Sequence, residues 1–220
     1  APVVSSAKAA GTISALWQKR FGKIPDFIVA EGSMAGGHLG FGEEELLKEA
    51  CKPLSQIVKE IKHMLPEIPL FAGGGIFDRN DVEKIIRAGA DGIQIATRFI
   101  ATEECDASEA YKQIIINASE EDVMILKSPV GMPGRGLKTP LTKKTAEGLR
   151  VPPDRCINCI RTCDPRNTPY CINKALIEAY RGNYEEGLFF CGGNVGRVNE
   201  MTTAEKIIAE LFPLQKGEKM

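Results

Sequence analysis

A glycine-rich loop with one histidine, EGSMAGGHLGFG at Glu31 to Gly42, contains residue types that could perform acid–base chemistry. It follows the apolar run FIVA, which predicts that the loop leaves the carboxyl end of a buried strand. His38 is one of only two histidines in the chain, and an imidazole exchanges protons near neutral pH. We therefore predict that His38 is a catalytic acid or base, the alternative being an ordinary surface histidine. Glu31 either orients the site or caps a turn.

Two further strand ends have residues suited to binding phosphate. Gly73, Gly74 and Gly75 follow the apolar run IPLFA, and exposed backbone N–H groups at such a turn can bind an anion. The next apolar run ends in Ala96-Thr97-Arg98, where a hydroxyl and a guanidinium suit a phosphate group. These features predict a phosphate site, whereas the glycine triplet alone is also compatible with a tight strand-to-helix turn.

Four strand-then-helix repeats occupy about the first 105 residues and would position these loops. The strands are PVVSS, DFIVAEG, IPLFAGGGI and ADGIQIATRFI, and helices are predicted over 7–21, 43–64 and 81–88. Because the strands are short continuous apolar runs, they are typical of a parallel sheet that is covered on both faces. In such sheets the ligand lies at the carboxyl ends of the strands. Pro53 should kink or split the helix over 43–64.

The pattern changes after about residue 108. Helices are predicted near 110–118, 172–181 and 203–211, and the residues from 215 onward look frayed. The glycine- and proline-rich stretch MILKSPVGMPGRGLKTPL predicts an extended loop.

A cysteine cluster follows that loop. Cys156, Cys159, Cys163 and Cys171 have spacings of two, three and seven residues. Thiolates this close in sequence could hold zinc or an iron–sulfur cluster, although the spacing matches no standard signature. The alternative is that these thiols are free or pair with one another.

Composition gives no support to some classes of partner. The net charge is −1 with acids and bases mixed, which gives no reason to expect nucleic acid or a membrane surface as a partner. No apolar run approaches the roughly 20 residues of a membrane span, and the first residues lack the pattern of a signal peptide. Seven cysteines, four of them clustered, do not resemble a secreted disulfide framework. These observations predict a cytoplasmic protein.

The motifs VAEGSMAGGHLGF, FAGGGI, IRAGADGIQIATRFIATEEC and KSPVGMPGRG together resemble the nitronate monooxygenase family, formerly called 2-nitropropane dioxygenases. Enoyl-ACP reductase II, a related flavin enzyme, shares them. The resemblance implies an α/β fold of the FMN-dependent (β/α)8 TIM-barrel type. It matches His38 to the catalytic histidine and Gly37 to a flavin-contacting glycine. The phosphate-side residues it implies are Gly74, Gly75, Gln94, Ile95, Ala96 and Thr97, with Ala96 in place of the usual glycine.

The resemblance also implies how much of the barrel the chain contains. PVVSS matches the fifth barrel strand, so residues 1–125 would be the carboxyl-terminal half, strands five to eight, of an FMN-binding barrel. Residues 126–220 would be a loop, a Cys-rich segment and helices that pack on the barrel. The amino-terminal half barrel would be missing from this chain, which predicts a fragment or one piece of a split protein. A homo-oligomer is a further possibility.

Three functions follow as expectations. The first is FMN-dependent oxidation of alkyl nitronates with O2 to a carbonyl compound and nitrite. The second is reduction of an enoyl thioester by an NAD(P)H-dependent FMN enoyl-ACP reductase. The third, of another class, is an inactive piece that needs a partner chain to complete its barrel.

Overall fold

The computed structural model describes residues 1–161 and 163–213 and has an α/β fold. The predicted frayed tail from residue 215 lies outside the described residues. The strands β1 to β7 are Val3–Val4, Ile28–Glu31, Gly37–His38, Leu70–Gly73, Gly92–Gln94, Val123–Lys127 and Pro133–Leu137. The helices α1 to α9 are Ala7–Phe21, Glu43–Leu47, Leu54–Met64, Arg79–Arg87, Thr97–Ile100, Glu109–Ile116, Pro140–Ala146, Ile172–Tyr180 and Ala204–Leu211.

A four-stranded parallel sheet in the order β1-β2-β4-β5 forms the first part of the structure, as predicted. One row of paired residues packs against the helices and consists of Val4, Ala30, Ala72 and Ile93. The opposite face has, at its carboxyl end, the row Glu31, Gly73 and Gln94. The three strand ends predicted to carry chemistry therefore lie side by side.

Local sequence signals explain where several helices begin. The Ser6 hydroxyl accepts a hydrogen bond from the Ala9 N–H at 3.2 Å and caps α1, while Asp78 caps α4 through the Asp81 N–H at 3.0 Å. Pro53 splits the predicted helix over 43–64, because α2 ends at Leu47 and α3 begins directly after Pro53. α3 packs on the sheet through Ile57, Val58 and Ile61.

The prediction of an extended loop over residues 124–141 is wrong. β6 and β7 form an antiparallel hairpin, and β7 also pairs with the two-residue strand β3. The glycines that suggested a loop are needed for close packing, since a Cβ at Gly136 would lie 2.6 Å from the Phe189 carbonyl oxygen. The predicted boundary between residues 125 and 126 falls inside β6, and the division into 1–125 and 126–220 stays a prediction.

The hairpin joins the two parts of the chain. Through β3 it reaches into the loop of Glu31 to Gly42, and its other side packs against Phe189 and the helices α6 and α8. Among the described residues, none of the helices is both long enough and apolar enough to cross a membrane.

Candidate active site

A cavity of about 220 Å³ lies at the carboxyl edge of the parallel sheet. Three of its walls are the loops that follow β2, β4 and β5, and the fourth is the segment that follows Phe189. The row Glu31, Gly73 and Gln94 lies along its floor. The cavity is therefore built at the place where parallel sheets bind ligands.

Every residue predicted to contact the cofactor lines this cavity: Gly37, Gly74, Gly75, Gln94, Ile95, Ala96 and Thr97. His38 does not line it, although its neighbour Gly37 does. The His38 ring instead lies behind Phe190, a residue of the cavity wall, with 5.2 Å between the two ring centroids. The sequence thus predicted one common site, but the imidazole is at its margin.

The turn after β4 requires glycine. Gly74 has φ +94° and Gly75 has φ +85°, in the region that side chains disfavour. A Cβ at Gly74 would lie 2.8 Å from the Gly32 carbonyl oxygen and 2.9 Å from the Ala35 nitrogen. Neither the Gly74 nor the Gly75 N–H donates a hydrogen bond to another described residue. A turn with two such unpaired N–H groups can bind an anion.

Arg98 lines the cavity and also contacts other parts of the protein. Its guanidinium donates to the Phe77 carbonyl oxygen at 2.7 Å and forms an ion pair with Glu210 at 2.6 Å. It also stacks on the Phe77 ring, 4.6 Å from the centroid. These contacts hold α5 against α9 and use three of the five guanidinium N–H groups, so a contact of Arg98 with a phosphate stays a prediction.

Glu31 is the acidic group of the cavity. Burial raises its pKa to about 7, and a hydrogen bond from the Gly40 backbone opposes this effect. A carboxyl group with this pKa exchanges its proton near neutral pH, so Glu31 is a titrating group at the floor of the cavity.

His38 is held by the antiparallel sheet. It lies on β3 opposite Gly134 of β7, and its Nε2 is 2.7 Å from the Ser128 hydroxyl. Burial lowers the pKa of His38 below its ordinary value of 6.5. The ring is therefore neutral near pH 7 and can accept a proton or donate a single hydrogen bond.

Sequence reasoning missed the fourth wall of the cavity, which comes from GLFFCGGNVGRV. The Asn194 amide donates to the Gly75 carbonyl oxygen at 3.0 Å, and the Gly192 N–H donates to the Thr97 hydroxyl at 2.9 Å. Burial raises the pKa of the Cys191 thiol to about 12, so this thiol stays protonated. The paired glycines of this stretch were the only sequence signal that the chain turns tightly here.

The four clustered cysteines line a separate, small apolar cavity near Pro129 and Ile172. All four are free thiols, and Cys156 and Cys159 are exposed. Within residues 1–161 and 163–213, no group of three or more Cys, His, Asp or Glu side chains could hold a metal ion. This arrangement does not support the predicted zinc or iron–sulfur site.

The raised pKa of Glu31 predicts a pH-dependent stability. The folded state holds the Glu31 proton to about pH 7, whereas the ordinary pKa of this carboxyl is 4.5, so folding loses stability as the pH rises between these values. We expect Glu31→Gln to be nearly neutral at pH 5 and to stabilise the protein by about 1–2 kcal/mol at pH 8, after allowance for solvent screening. Unfolding in urea at both pH values measures this.

Glu67→Gln, at an exposed position, is the matched control for removal of a charge. An equal effect of Glu31→Gln at pH 5 and pH 8 would contradict the assignment of a near-neutral carboxyl group to the cavity floor.

Comparison with known proteins shows which family the chain resembles. The nitronate monooxygenase family model matches residues 1–213. Probable nitronate monooxygenases of Staphylococcus saprophyticus and Staphylococcus aureus strain Newman are each 32% identical, over 124 and 158 residues. These matches cover 56% and 71% of this chain but only 34% and 44% of the relatives.

Two solved structures have a fold similar to that of this chain. FabK from Thermotoga maritima has a TM-score of 0.71 at 27% identity, over 96% of this chain and 58% of that one. Nitroalkane oxidase from Streptomyces ansochromogenes has a TM-score of 0.70 at 21% identity, over 95% and 55%, a likeness that concerns the fold alone. The chain thus spans little more than half of either solved chain. Since the family model covers every residue that the structure describes, the chain belongs to the nitronate monooxygenase family.

Proposed function

We propose that this chain contributes the phosphate side and the catalytic histidine of an FMN-dependent oxidoreductase that oxidises alkyl nitronates with O2. The observation that carries the proposal is the cavity itself. In a chain of the nitronate monooxygenase family, it joins the Gly74–Gly75 turn, the segment Gln94 to Thr97 and the loop of His38.

The residues present fit FMN. The Gly74 and Gly75 N–H groups have no acceptor among the described residues, and a Cβ at Gly74 would collide with the backbone of the neighbouring loop. These donors would hold the phosphate, together with the segment Gln94 to Thr97. At Gly37 a Cβ would meet nothing within 4 Å, which leaves open space beside the His38 backbone for the flavin ring system.

The chain's own contribution to the chemistry centres on His38. Bound FMN supplies the electron-transfer chemistry, and the protein orients the substrate and manages protons. Neutral His38 can take a proton from a neutral nitroalkane or hold an anionic nitro group through a hydrogen bond. Phe190 shields one side of the ring, which limits the access of water to it.

We also propose that the parallel sheet is half of a (β/α)8 barrel. The outer edges of β1 and β5 have no strand partner among the described residues. Val3 is 52% exposed and Phe27 39% exposed, although both are apolar residues next to or within strands of the sheet. Such edges and faces are normally paired or covered. We therefore expect this chain, purified alone, to retain little flavin.

An enoyl thioester reductase that uses NAD(P)H is the second candidate, favoured by the similarity to FabK. The two activities are separated by one experiment. The chain with FMN added in excess is mixed either with ethyl nitronate under air or with NADH and crotonyl thioester, and nitrite and NADH are measured.

We expect nitrite release that requires both the protein and FMN. NADH consumption that depends on crotonyl thioester, without nitrite release, would establish the reductase instead. Neither product would reject both activities for this chain and leave the third candidate, an inactive piece that needs a partner chain.

A further inference from the structure

The four clustered cysteines face one small cavity that the proposed function does not use. The side chains of Cys156, Cys159, Cys163 and Cys171 line a cavity of about 30 Å³, which is far too small for a substrate. All four are free thiols. In the part of the chain that the structure describes, no three such side chains converge in a way that could hold a metal ion, so we consider chemistry between pairs of thiols.

Cys156 and Cys159 are the two members of the cluster that solvent reaches most easily. Both are exposed, whereas Cys163 and Cys171 are partly buried. Two residues separate the exposed pair, and one of them, Ile157, is 71% exposed. A small reagent in solution therefore has access to both sulfurs of this pair.

The backbone around the exposed pair is held on either side of the pair. Val151 pairs with Tyr170 in an isolated bridge, and the Asp154 carboxylate forms an ion pair with the Lys174 ammonium at 3.1 Å. Residues 155–159 form no backbone–backbone hydrogen bond with a described residue. A disulfide needs Cα atoms about 4.4–6.8 Å apart, and a backbone of this kind can adjust to that separation without breaking a helix or a strand pairing.

Asn158 contacts the Cys156 sulfur through its backbone. Its N–H donates to Cys156 Sγ at 3.4 Å, and its φ of +51° lies in the left-handed region that asparagine tolerates. The Cys156 thiol donates in turn to Asn158 Oδ1 at 3.5 Å. When this thiol loses its proton, the N–H contact stabilises the thiolate, which is the form that attacks a disulfide.

Positively charged side chains flank the exposed pair. Arg155 precedes it directly, and Arg161 follows it by two residues. Neither guanidinium forms an ion pair with a described residue, whereas the nearest carboxylates in sequence, Asp154 and Asp164, are each paired with another cation. Cations beside a thiol favour its thiolate and attract an anionic reagent.

From this arrangement we infer that Cys156 and Cys159 form a thiol–disulfide exchange site for low-molecular-weight disulfides such as oxidised glutathione, with Cys156 as the attacking thiol. The inference goes beyond the proposed function and does not depend on it, because neither cysteine lines the cavity at the edge of the parallel sheet.

The exchange takes place in two steps. The Cys156 thiolate attacks one sulfur of the small disulfide, whose S–S bond breaks, so that a mixed disulfide forms and one small thiol leaves. The Cys159 thiolate then attacks the Cys156 sulfur, the mixed disulfide breaks, and the second small thiol leaves. The two protein thiols lose two electrons and two protons, and the small disulfide takes up both as it becomes two thiols.

Equilibration with glutathione tests the inference. The reduced chain is incubated under nitrogen near neutral pH in glutathione buffers of increasing oxidised fraction, its remaining thiols are alkylated, and its peptides are mapped by mass spectrometry. We expect a disulfide between Cys156 and Cys159 whose fraction follows the ratio of oxidised glutathione to the square of reduced glutathione, as a two-electron equilibrium requires. The other cysteines should be recovered as alkylated thiols.

Substitutions assign the role of each sulfur. Cys159→Ser should stop at a mixed disulfide between Cys156 and glutathione. Cys156→Ser should react about tenfold more slowly, because the Cys159 sulfur accepts no such N–H among the described residues. Cys171→Ser removes a partly buried thiol of the same cavity, so it is the matched control and should form the Cys156–Cys159 disulfide as the wild type does.

Two results would overturn the inference. The first is an excess of oxidised glutathione that leaves Cys156 and Cys159 unlinked, or that links either of them to Cys163 or Cys171. The second is a set of thiols that react only after a chelator is added, because the cluster would then hold a metal ion. These measurements need neither flavin nor substrate, so a failure to release nitrite has no bearing on them.

Discussion

Replacement of His38 by alanine is expected to lower nitrite release from ethyl nitronate by roughly 10²–10⁴-fold, the usual contribution of a positioned proton-exchanging or hydrogen-bonding group. FMN affinity should change little, because His38 does not line the cavity that would hold the cofactor. The Ser128 hydroxyl loses a partner, but it keeps the Val130 N–H, so the hairpin should fold. Steady-state nitrite assays at saturating FMN measure the first effect, and flavin fluorescence measures the second.

His63→Ala removes the other histidine of the chain from an exposed position on α3 and is the matched control. It should leave both measurements at the wild-type level. Equal turnover of the two alanine variants would show that the imidazole of His38 has no part in the reaction.

Replacement of Gly74 by alanine is expected to weaken FMN binding by about tenfold or more. The new Cβ would lie 2.8 Å from the Gly32 oxygen and 2.9 Å from the Ala35 nitrogen, so the turn must move. The positive φ of +94° adds backbone strain, which is on the order of 1–3 kcal/mol for such positions. Because the free N–H groups of this turn are the proposed phosphate donors, displacement of the turn removes them. Titration of FMN, followed by quenching of its fluorescence, measures the loss.

The variant Gly148→Ala separates the effect of backbone strain from the effect of moving the turn after β4. Gly148 has a similar φ of +82°, but a Cβ there would meet nothing within 4 Å, and it lies after α7, outside the cavity lining. It should lower the free energy of unfolding and leave FMN affinity unchanged. If Gly74→Ala bound FMN as tightly as Gly148→Ala does, the turn after β4 would not be a phosphate site.

The parallel sheet and its loops were predictable because short continuous apolar runs and glycine-rich strand ends are local signals. Gly74, Gly75 and the segment Gln94 to Thr97 lie at the ends of the neighbouring strands β4 and β5, so a parallel arrangement was enough to bring them together. Arg98 was placed at the right edge, where it lines the cavity, but its ion pair with Glu210 could not be predicted because that partner comes from α9, 112 residues away.

The antiparallel sheet could not be predicted, because its signals are non-local. β3 has only two residues, too few to show a period of two, and it pairs with β7 almost 100 residues later. Gly134 and Gly136 suggested a loop, whereas they permit close contacts with Phe189 and Phe190. Ser128 belongs to the motif KSPVGMPGRG, but no local signal places its hydroxyl beside His38, because that contact depends on this pairing.

The central claim, a flavin phosphate site at the Gly74–Gly75 turn, is tested most directly by comparing FMN with riboflavin. The two ligands share the ring system and differ only in the phosphate group. Both are titrated into the chain at the same ionic strength and followed by flavin fluorescence. The claim predicts saturable binding of FMN that is at least about tenfold tighter than that of riboflavin, a difference of about 1.4 kcal/mol that disappears in Gly74→Ala. Equal affinities for the two ligands, or a preference for FMN that survives in Gly74→Ala, would contradict it.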